Sequence, residues 1–241
     1  PELVNKVSNV AEPFALAILT TDLVPKTIMT KVKLSQGEVT ITGIAKGSGM
    51  IHPNMATMLG YLLTDAVIDV NTANTLLKEV VNDSFNMISV DGDTSTNDCV
   101  FLMANGMTKV KIADENDFQI FKNALQEVAK ILAKAIARDG EGATKLIEAK
   151  VVNAPDITIA KKIARTLILS PLVKTAVHGA SPNWGRVLAH LGAIQLPPKL
   201  LTQLTIKFQG HLVFKGNAMH CFDAAALKKD LKQDTVVIEI D

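Results

Sequence analysis

Aromatic side chains are scarce in this chain. Phe, Tyr and Trp make up 4% of its 241 residues, with a single Trp and a single Tyr, so the core has to be built from aliphatic residues and methionine. Excess charge is lacking too. Lys and Arg number 25 against 24 Asp and Glu, a formal +1, which gives no electrostatic case for nucleic acid or an anionic membrane as partner. Cys99 and Cys221 are the two cysteines. They form neither a metal-ligand spacing nor a disulfide framework, and a reducing, cytoplasmic setting is expected. No apolar run reaches the length of a membrane span, no signal-peptide pattern opens the chain, and no internal repeat or low-complexity stretch interrupts it.

What is present is a hydrophobic fraction of 48%, which suits a well-buried globular core, in a length that allows one large domain or two small ones. Val32 and Leu34, a Ser35-Gln36-Gly37 turn, then Val39 and Ile41 read as a hairpin within residues 30–45. Residues 72–88 read as helical. Phe118, Phe121, Leu125, Val128, Leu132 and Ile136 recur at three- and four-residue spacing and predict a helix from Asn116 to Arg138, stopped by Gly140 and Gly142. Residues 99–104 and 146–153 read as buried strands, and 157–169 and the segment after Asn183 as helices. Leu204–Phe208, Leu212–Lys215 and Thr235–Ile240 return to β structure. Helices are interleaved with hairpin-like strands without regular βαβ alternation. The expected fold class is α+β, a layered sandwich rather than a doubly wound sheet.

The chemistry concentrates in Lys46-Gly47-Ser48-Gly49-Met50-Ile51-His52-Pro53-Asn54-Met55-Ala56-Thr57-Met58-Leu59. A glycine-rich approach admits backbone conformations that a side chain forbids. Pro53 and Asn54 are turn formers, and a small alanine precedes a threonine that opens an apolar segment. This is a setting for self-cleavage, in which the Thr57 hydroxyl attacks the carbonyl of Ala56. The cut gives Thr57 a free α-amine beside its hydroxyl, a local base for an otherwise weak nucleophile. On residues alone, the window also fits a glycine-rich loop running into a buried strand or helix with Thr57 as N-cap.

Other constellations are weaker. Gly47-Ser48-Gly49 fails as a nucleotide loop, because His52 breaks the dinucleotide spacing and no Gly-Lys-Ser/Thr follows. Asp91, Asp93, Ser95 and Asn97 alternate as oxygen ligands, but Thr96 and Leu102 stand where a calcium loop has Gly and Glu. A rigid loop shaped by Asx and hydroxyl turns is expected instead. His220-Cys221 is expected on a strand with its side chains pointing apart, and no metal site is expected. By themselves, Thr20 and Thr21 before Asp22 fit an N-cap cluster, Lys46 an exposed lysine ending a strand, and Glu141 a solvated turn residue.

Five segments in order shift that balance: Thr20-Thr21-Asp22 with Pro25-Lys26, the Lys46–Leu59 window, Asp91-Gly92-Asp93-Thr94-Ser95-Thr96-Asn97-Asp98, Asp139-Gly140-Glu141-Gly142-Ala143-Thr144-Lys145, and Ser181-Pro182-Asn183-Trp184-Gly185-Arg186. Together they resemble the glutamate N-acetyltransferase (ornithine acetyltransferase) family of arginine biosynthesis. The resemblance implies an α/β/β/α-type sandwich with mixed sheets, and autoproteolysis between Ala56 and Thr57. It divides the chain into 1–56, the end of an α-chain, and 57–241, a β-chain. It implies Thr57 as the catalytic nucleophile, and Thr20, Lys46, Thr57 and Glu141 as substrate-binding residues. The implied reaction carries acetyl from N-acetylornithine to glutamate through an acetyl-threonine. No cofactor is implied, though some relatives accept acetyl-CoA as donor. The implied assembly is a heterotetramer of two α and two β chains. The alternatives are an N-terminal-nucleophile amidohydrolase or aminopeptidase, or an unprocessed relative acting as an assembly partner. The family's upstream Thr-Gly pair and its C-terminal Asn and hydroxyl residue have no counterpart here, so a chain truncated at both ends is expected.

Overall fold

The computed structural model describes residues 10–53 and 58–241. The chain divides into two compact units, Pro1–Glu141 and Gly142–Asp241, the second of the outcomes its length allows.

The first unit runs α1 (Glu12–Ala17), β1 (Lys26–Leu34), β2 (Gly37–Lys46), β3 (Leu59–Thr64), α2 (Val70–Asn82), a 3-10 turn (Phe85–Met87), β4 (Cys99–Ala104) and α3 (Glu115–Arg138). The hairpin forms as expected, with Leu34 opposite Gly37 across a Ser35-Gln36 turn. That turn is tied to α3. Buried Asp117 accepts from the Ser35 hydroxyl at 2.6 Å and the Ser35 N–H at 2.8 Å, and these bonds, the hydroxyl's first, hold its carboxyl below the usual range. The sheet order is β1-β2-β3-β4. The first three strands are antiparallel, and β4 lies parallel to β3, a pairing that needs the crossover supplied by α2.

Alternate residues of the sheet face α3. Val32, Leu34, Val39, Ile41 and Leu62 form one core with Phe121, Leu125, Val128, Leu132 and Ile136. The helix comes very close at Gly43, where a Cβ would lie 2.6 Å from Leu132 Cδ1 and 2.7 Å from Val128 Cγ1. Only a residue without a side chain lets the two elements meet there.

The second unit contains β5 (Leu146–Val151), α4 (Ile157–Leu169), α5 (Pro171–His178), α6 (Trp184–Ala193), α7 (Pro198–Thr202), β6 (Thr205–Phe208), β7 (His211–Lys215), β8 (Ala218–Met219), α8 (Ala224–Asp230) and β9 (Thr235–Ile240). Its sheet order is β5-β9-β6-β7-β8, with β5 parallel to β9 and the rest antiparallel. Ile206, Phe208, Val213, Val236 and Ile238 pack with Ile163, Leu167, Val187 and Leu191 of α4 and α6. The fold class is α+β with two mixed sheets, each with its own helices and core.

Several expectations are corrected. The strands expected to be buried at 99–104 and 146–153 are the outer strands β4 and β5, each paired on one side only. Val100 and Leu102 of β4 pack against the core, and the alternate residues Phe101 and Met103 fall on the other face and are exposed. The helix expected over 72–88 stops at Asn82 and gives way to the 3-10 turn. His220 and Cys221 lie just beyond β8 rather than on a strand, with His220 Nδ1 3.0 Å from the Cys221 carbonyl oxygen. No helix among the described residues is long and apolar enough to cross a membrane.

Candidate active site

The site is built where β2 ends. Lys46 is the last residue of that strand, and the antiparallel register sets it opposite Leu59, the first residue of β3. The segment that follows Thr57 in sequence therefore enters the sheet beside Lys46. Ala56 and Thr57 themselves lie outside the described residues. Met58, next in line, is fully buried, and its carbonyl accepts from Cys99 N–H at 2.9 Å.

Lys46 is half-buried, and its Nζ lies 3.4 Å from Thr20 Oγ1. Thr20 sits on the stretch between α1 and β1, past the end of α1, so it caps no helix; Ala11 holds that place. Its backbone N–H points to Asp22 Oδ2 at 3.4 Å. Asp22 is the local organiser. Its Oδ1 accepts from Gly47 N–H and from Lys26 Nζ, both at 2.7 Å. Burial pushes the Asp22 carboxyl up, but the hydrogen bonds from Lys26 and Gly47 outweigh it and hold the group below the usual carboxylate range.

Lys26 is 3% exposed and has spent its three donors: besides Asp22 it reaches Asp139 Oδ2 at 2.6 Å and the Val24 carbonyl at 3.2 Å. Asp139 is the C-cap of α3 and also accepts from Leu23 N–H at 3.0 Å. One buried ammonium thus bridges two carboxylates from distant parts of the sequence. An ion pair so deeply buried is favourable only when its remaining donors and acceptors are satisfied, and here they are.

Asp139 leads to Glu141. The Ser48 hydroxyl donates to the Asp139 carbonyl at 2.7 Å, and Glu141 N–H donates to the Ser48 carbonyl at 3.0 Å. The Glu141 side chain is exposed and lies over Gly49, where a Cβ would sit 2.6 Å from the carboxylate carbon. The glycines of this loop therefore serve different ends. Gly49 makes room for Glu141, Gly47 takes the positive φ expected of a glycine, 157°, and Met50 is left-handed as well, with φ of 54°. A side chain there costs on the order of 1–2 kcal/mol.

The Asp91–Asp98 loop holds that conformation. Asp91 accepts from Met50 N–H at 2.6 Å, Ile51 N–H at 3.1 Å and Asp93 N–H at 3.0 Å. Val90 N–H donates to the Ile51 carbonyl at 2.7 Å, and the Thr94 hydroxyl to the His52 carbonyl at 3.0 Å. The acidic, hydroxyl-rich segment is a backbone clamp on residues 50–52, as its Asx character implies. No group of His, Cys, Asp and Glu suited to a metal ion occurs among the described residues.

The structure brings Thr20, Lys46 and Glu141 into one unit around one loop. Sequence reasoning missed Lys26 and Asp139 as the parts that join them, although both stood in quoted motifs. The rest of the Asp139–Lys145 motif belongs to the second unit, where Thr144 Oγ1 is 3.0 Å from His178 Nδ1 and Lys145 donates to the Val177 and Leu231 carbonyls. In Ser181–Arg186, Asn183 caps α6 by accepting from Arg186 N–H. The Arg186 guanidinium reaches the Leu172 carbonyl and Thr175 hydroxyl, each at 2.8 Å.

Comparison with known proteins identifies the family. The ArgJ family matches residues 1–241. The arginine biosynthesis bifunctional protein ArgJ of Bacillus thuringiensis subsp. konkukian is 45% identical over 237 residues, covering 98% of this chain and 58% of that protein. The arginine biosynthesis bifunctional protein ArgJ 1 of Clostridium acetobutylicum is 49% identical over 234 residues, covering 93% and 56%. The chain thus spans less than three-fifths of the length of these curated relatives. The crystal structure of the arginine biosynthesis bifunctional protein argJ from Bacillus halodurans superposes with a TM-score of 0.73 at 39% identity, covering 76% of this chain and 87% of that one. A match along the whole length, on a fold shared with a solved relative, shows that this chain belongs to the ArgJ family.

Proposed function

We propose that this chain is part of a self-processing acetyltransferase that moves acetyl from N-acetylornithine to glutamate in arginine biosynthesis. Family membership supports the reaction class, and the names of the relatives support the pathway. The observation that carries the residue assignment is the convergence of Thr20, Lys46 and Glu141 on the loop that leads to Ala56–Thr57.

Cleavage begins when Thr57 Oγ attacks the Ala56 carbonyl. The acyl group shifts from nitrogen to oxygen, which frees the Thr57 amine, and water then hydrolyses the ester, releasing the Ala56 carboxylate and the Thr57 hydroxyl. In the first half-reaction that amine takes the Oγ proton as Oγ attacks the acetyl carbonyl of N-acetylornithine. The carbon–nitrogen bond breaks, the proton goes to the departing ornithine amine, and acetyl remains as a threonine ester. In the second, the glutamate amine attacks the ester and Oγ recovers a proton. Splitting an amide transfer in this way predicts ping-pong kinetics. Lys46, with Thr20, offers an ammonium for a substrate carboxylate, and Glu141 a carboxylate for a substrate ammonium. A second use of the same acetyl-enzyme with acetyl-CoA as donor would suit relatives named bifunctional.

The pieces 1–56 and 57–241 would separate as α- and β-chains yet stay joined. Lys46 to Ile41 of β2 pair with Leu59 to Thr64 of β3 inside one sheet, so the cut falls between two neighbouring strands. A heterotetramer of two such pairs, working in the cytoplasm, completes the proposal; two exposed free cysteines fit a reducing compartment. The test is to supply labelled N-acetylornithine with and without glutamate. Label in N-acetylglutamate supports transfer. Release of free acetate at the same rate in both samples would make the protein a hydrolase.

A further inference from the structure

We propose that Asp139, held by buried Lys26, is a positioning residue that sets the Glu141 carboxylate for substrate binding. The inference rests on the assignment of Glu141 given above. Glu141 is exposed on a turn between two glycines, and such a turn does not by itself fix a carboxylate. Two links hold its backbone here, and through the backbone set where the carboxylate starts. Asp139 Oδ2 is anchored by Lys26 Nζ at 2.6 Å and by Leu23 N–H at 3.0 Å. Its backbone carbonyl receives the Ser48 hydroxyl at 2.7 Å, and the Ser48 carbonyl receives Glu141 N–H at 3.0 Å.

Lys26 extends the same network to the other side of the site. Through Asp22 it holds Gly47 N–H at 2.7 Å and the Thr20 backbone at 3.4 Å. A continuous run of hydrogen bonds therefore leads from Thr20, past the end of β2, to Glu141. Placing one buried cation between Asp22 and Asp139 couples the two ends without either aspartate touching substrate. The second carboxylate lies at the C-cap of α3, two residues before Glu141.

The test uses Asp139→Asn, which keeps the size of the cap and leaves Lys26 paired with Asp22, so the protein should fold. It is combined with Glu141→Gln in a double-mutant cycle on the processed enzyme. Asp139→Asn is expected to raise KM for N-acetylornithine by about ten-fold, the scale of one hydrogen bond to a charged group, with the effect on KM rather than kcat. In the Glu141→Gln background the same change should have little further effect, because coupled residues are not additive. Equal effects in both backgrounds, or none in either, would overturn the proposal. If Glu141→Gln alone leaves KM unchanged, the assignment of Glu141 fails, an outcome distinct from failure of the coupling.

Discussion

Gly49→Ala isolates the Glu141 carboxylate without touching it. A Cβ at residue 49 would stand 2.6 Å from the Glu141 carboxylate carbon and Oε1, and 2.8 Å from Oε2, where ordinary contact begins at 3.4 Å. The carboxylate must therefore retreat by about 0.8 Å, enough to stretch a hydrogen bond of about 2.8 Å beyond useful length. Glu141 is exposed, so its side chain has room to move aside, and Gly49 is not among the residues with positive φ, so the backbone accepts alanine. Stability should change by no more than about 0.5 kcal/mol, as for other surface substitutions. Binding should suffer more. A charge-assisted hydrogen bond is worth about 1.5–3 kcal/mol, and its partial loss predicts KM for N-acetylornithine raised on the order of ten-fold. Steady-state kinetics beside a thermal melt read both quantities. Unchanged KM at unchanged melting temperature would show that the Glu141 carboxylate does not hold substrate.

Lys46→Met should raise KM by about ten-fold through the same kind of interaction while melting as the parent does, since the Thr20 contact is on the surface; steady-state kinetics decide it. Gly43→Ala should do the reverse, lowering stability in urea by about 1–3 kcal/mol through overpacking against Leu132 and Val128. Asp22→Asn tests the buried pair by pH. The folded Asp22 carboxyl lies below its ordinary 3.8, so its contribution is present above about pH 4 and is lost as pH falls through the lowered value. The stability gap between parent and variant should therefore be constant near neutrality and shrink below pH 4 in urea titrations.

Periodic signals were legible where one face decided burial. The α3 pattern from Phe118 to Ile136 gave its helix within one residue at the N-terminus, and the Ser35-Gln36-Gly37 turn gave its hairpin. The Asp91 loop was legible as local chemistry, because an aspartate accepting nearby N–H groups needs no distant partner. What failed depended on position in the sheet. The run Cys99–Ala104 is apolar enough for an interior strand, yet as β4 it has one neighbour and one covered face, with Val100 and Leu102 on the core side and Phe101 and Met103 exposed on the other. Helix α5 passed unread although Ser170-Pro171 is a capping serine followed by an N1 proline. The Lys26–Asp139 link could not be seen: Asp139 is distant in sequence, and only the packing of the α3 C-cap against the start of β1 brings the charges together.

The most direct measurement is the intact mass of the protein beside its Thr57→Ala variant, after incubation with labelled N-acetylornithine. The parent should give two pieces, one ending at Ala56 and one beginning at Thr57, with the acetyl label on the second. The variant should stay whole and unlabelled. Cleavage at this bond in Thr57→Ala, or label on any other residue of the cut parent, would contradict the assignment of Thr57 as both scissor and acetyl carrier.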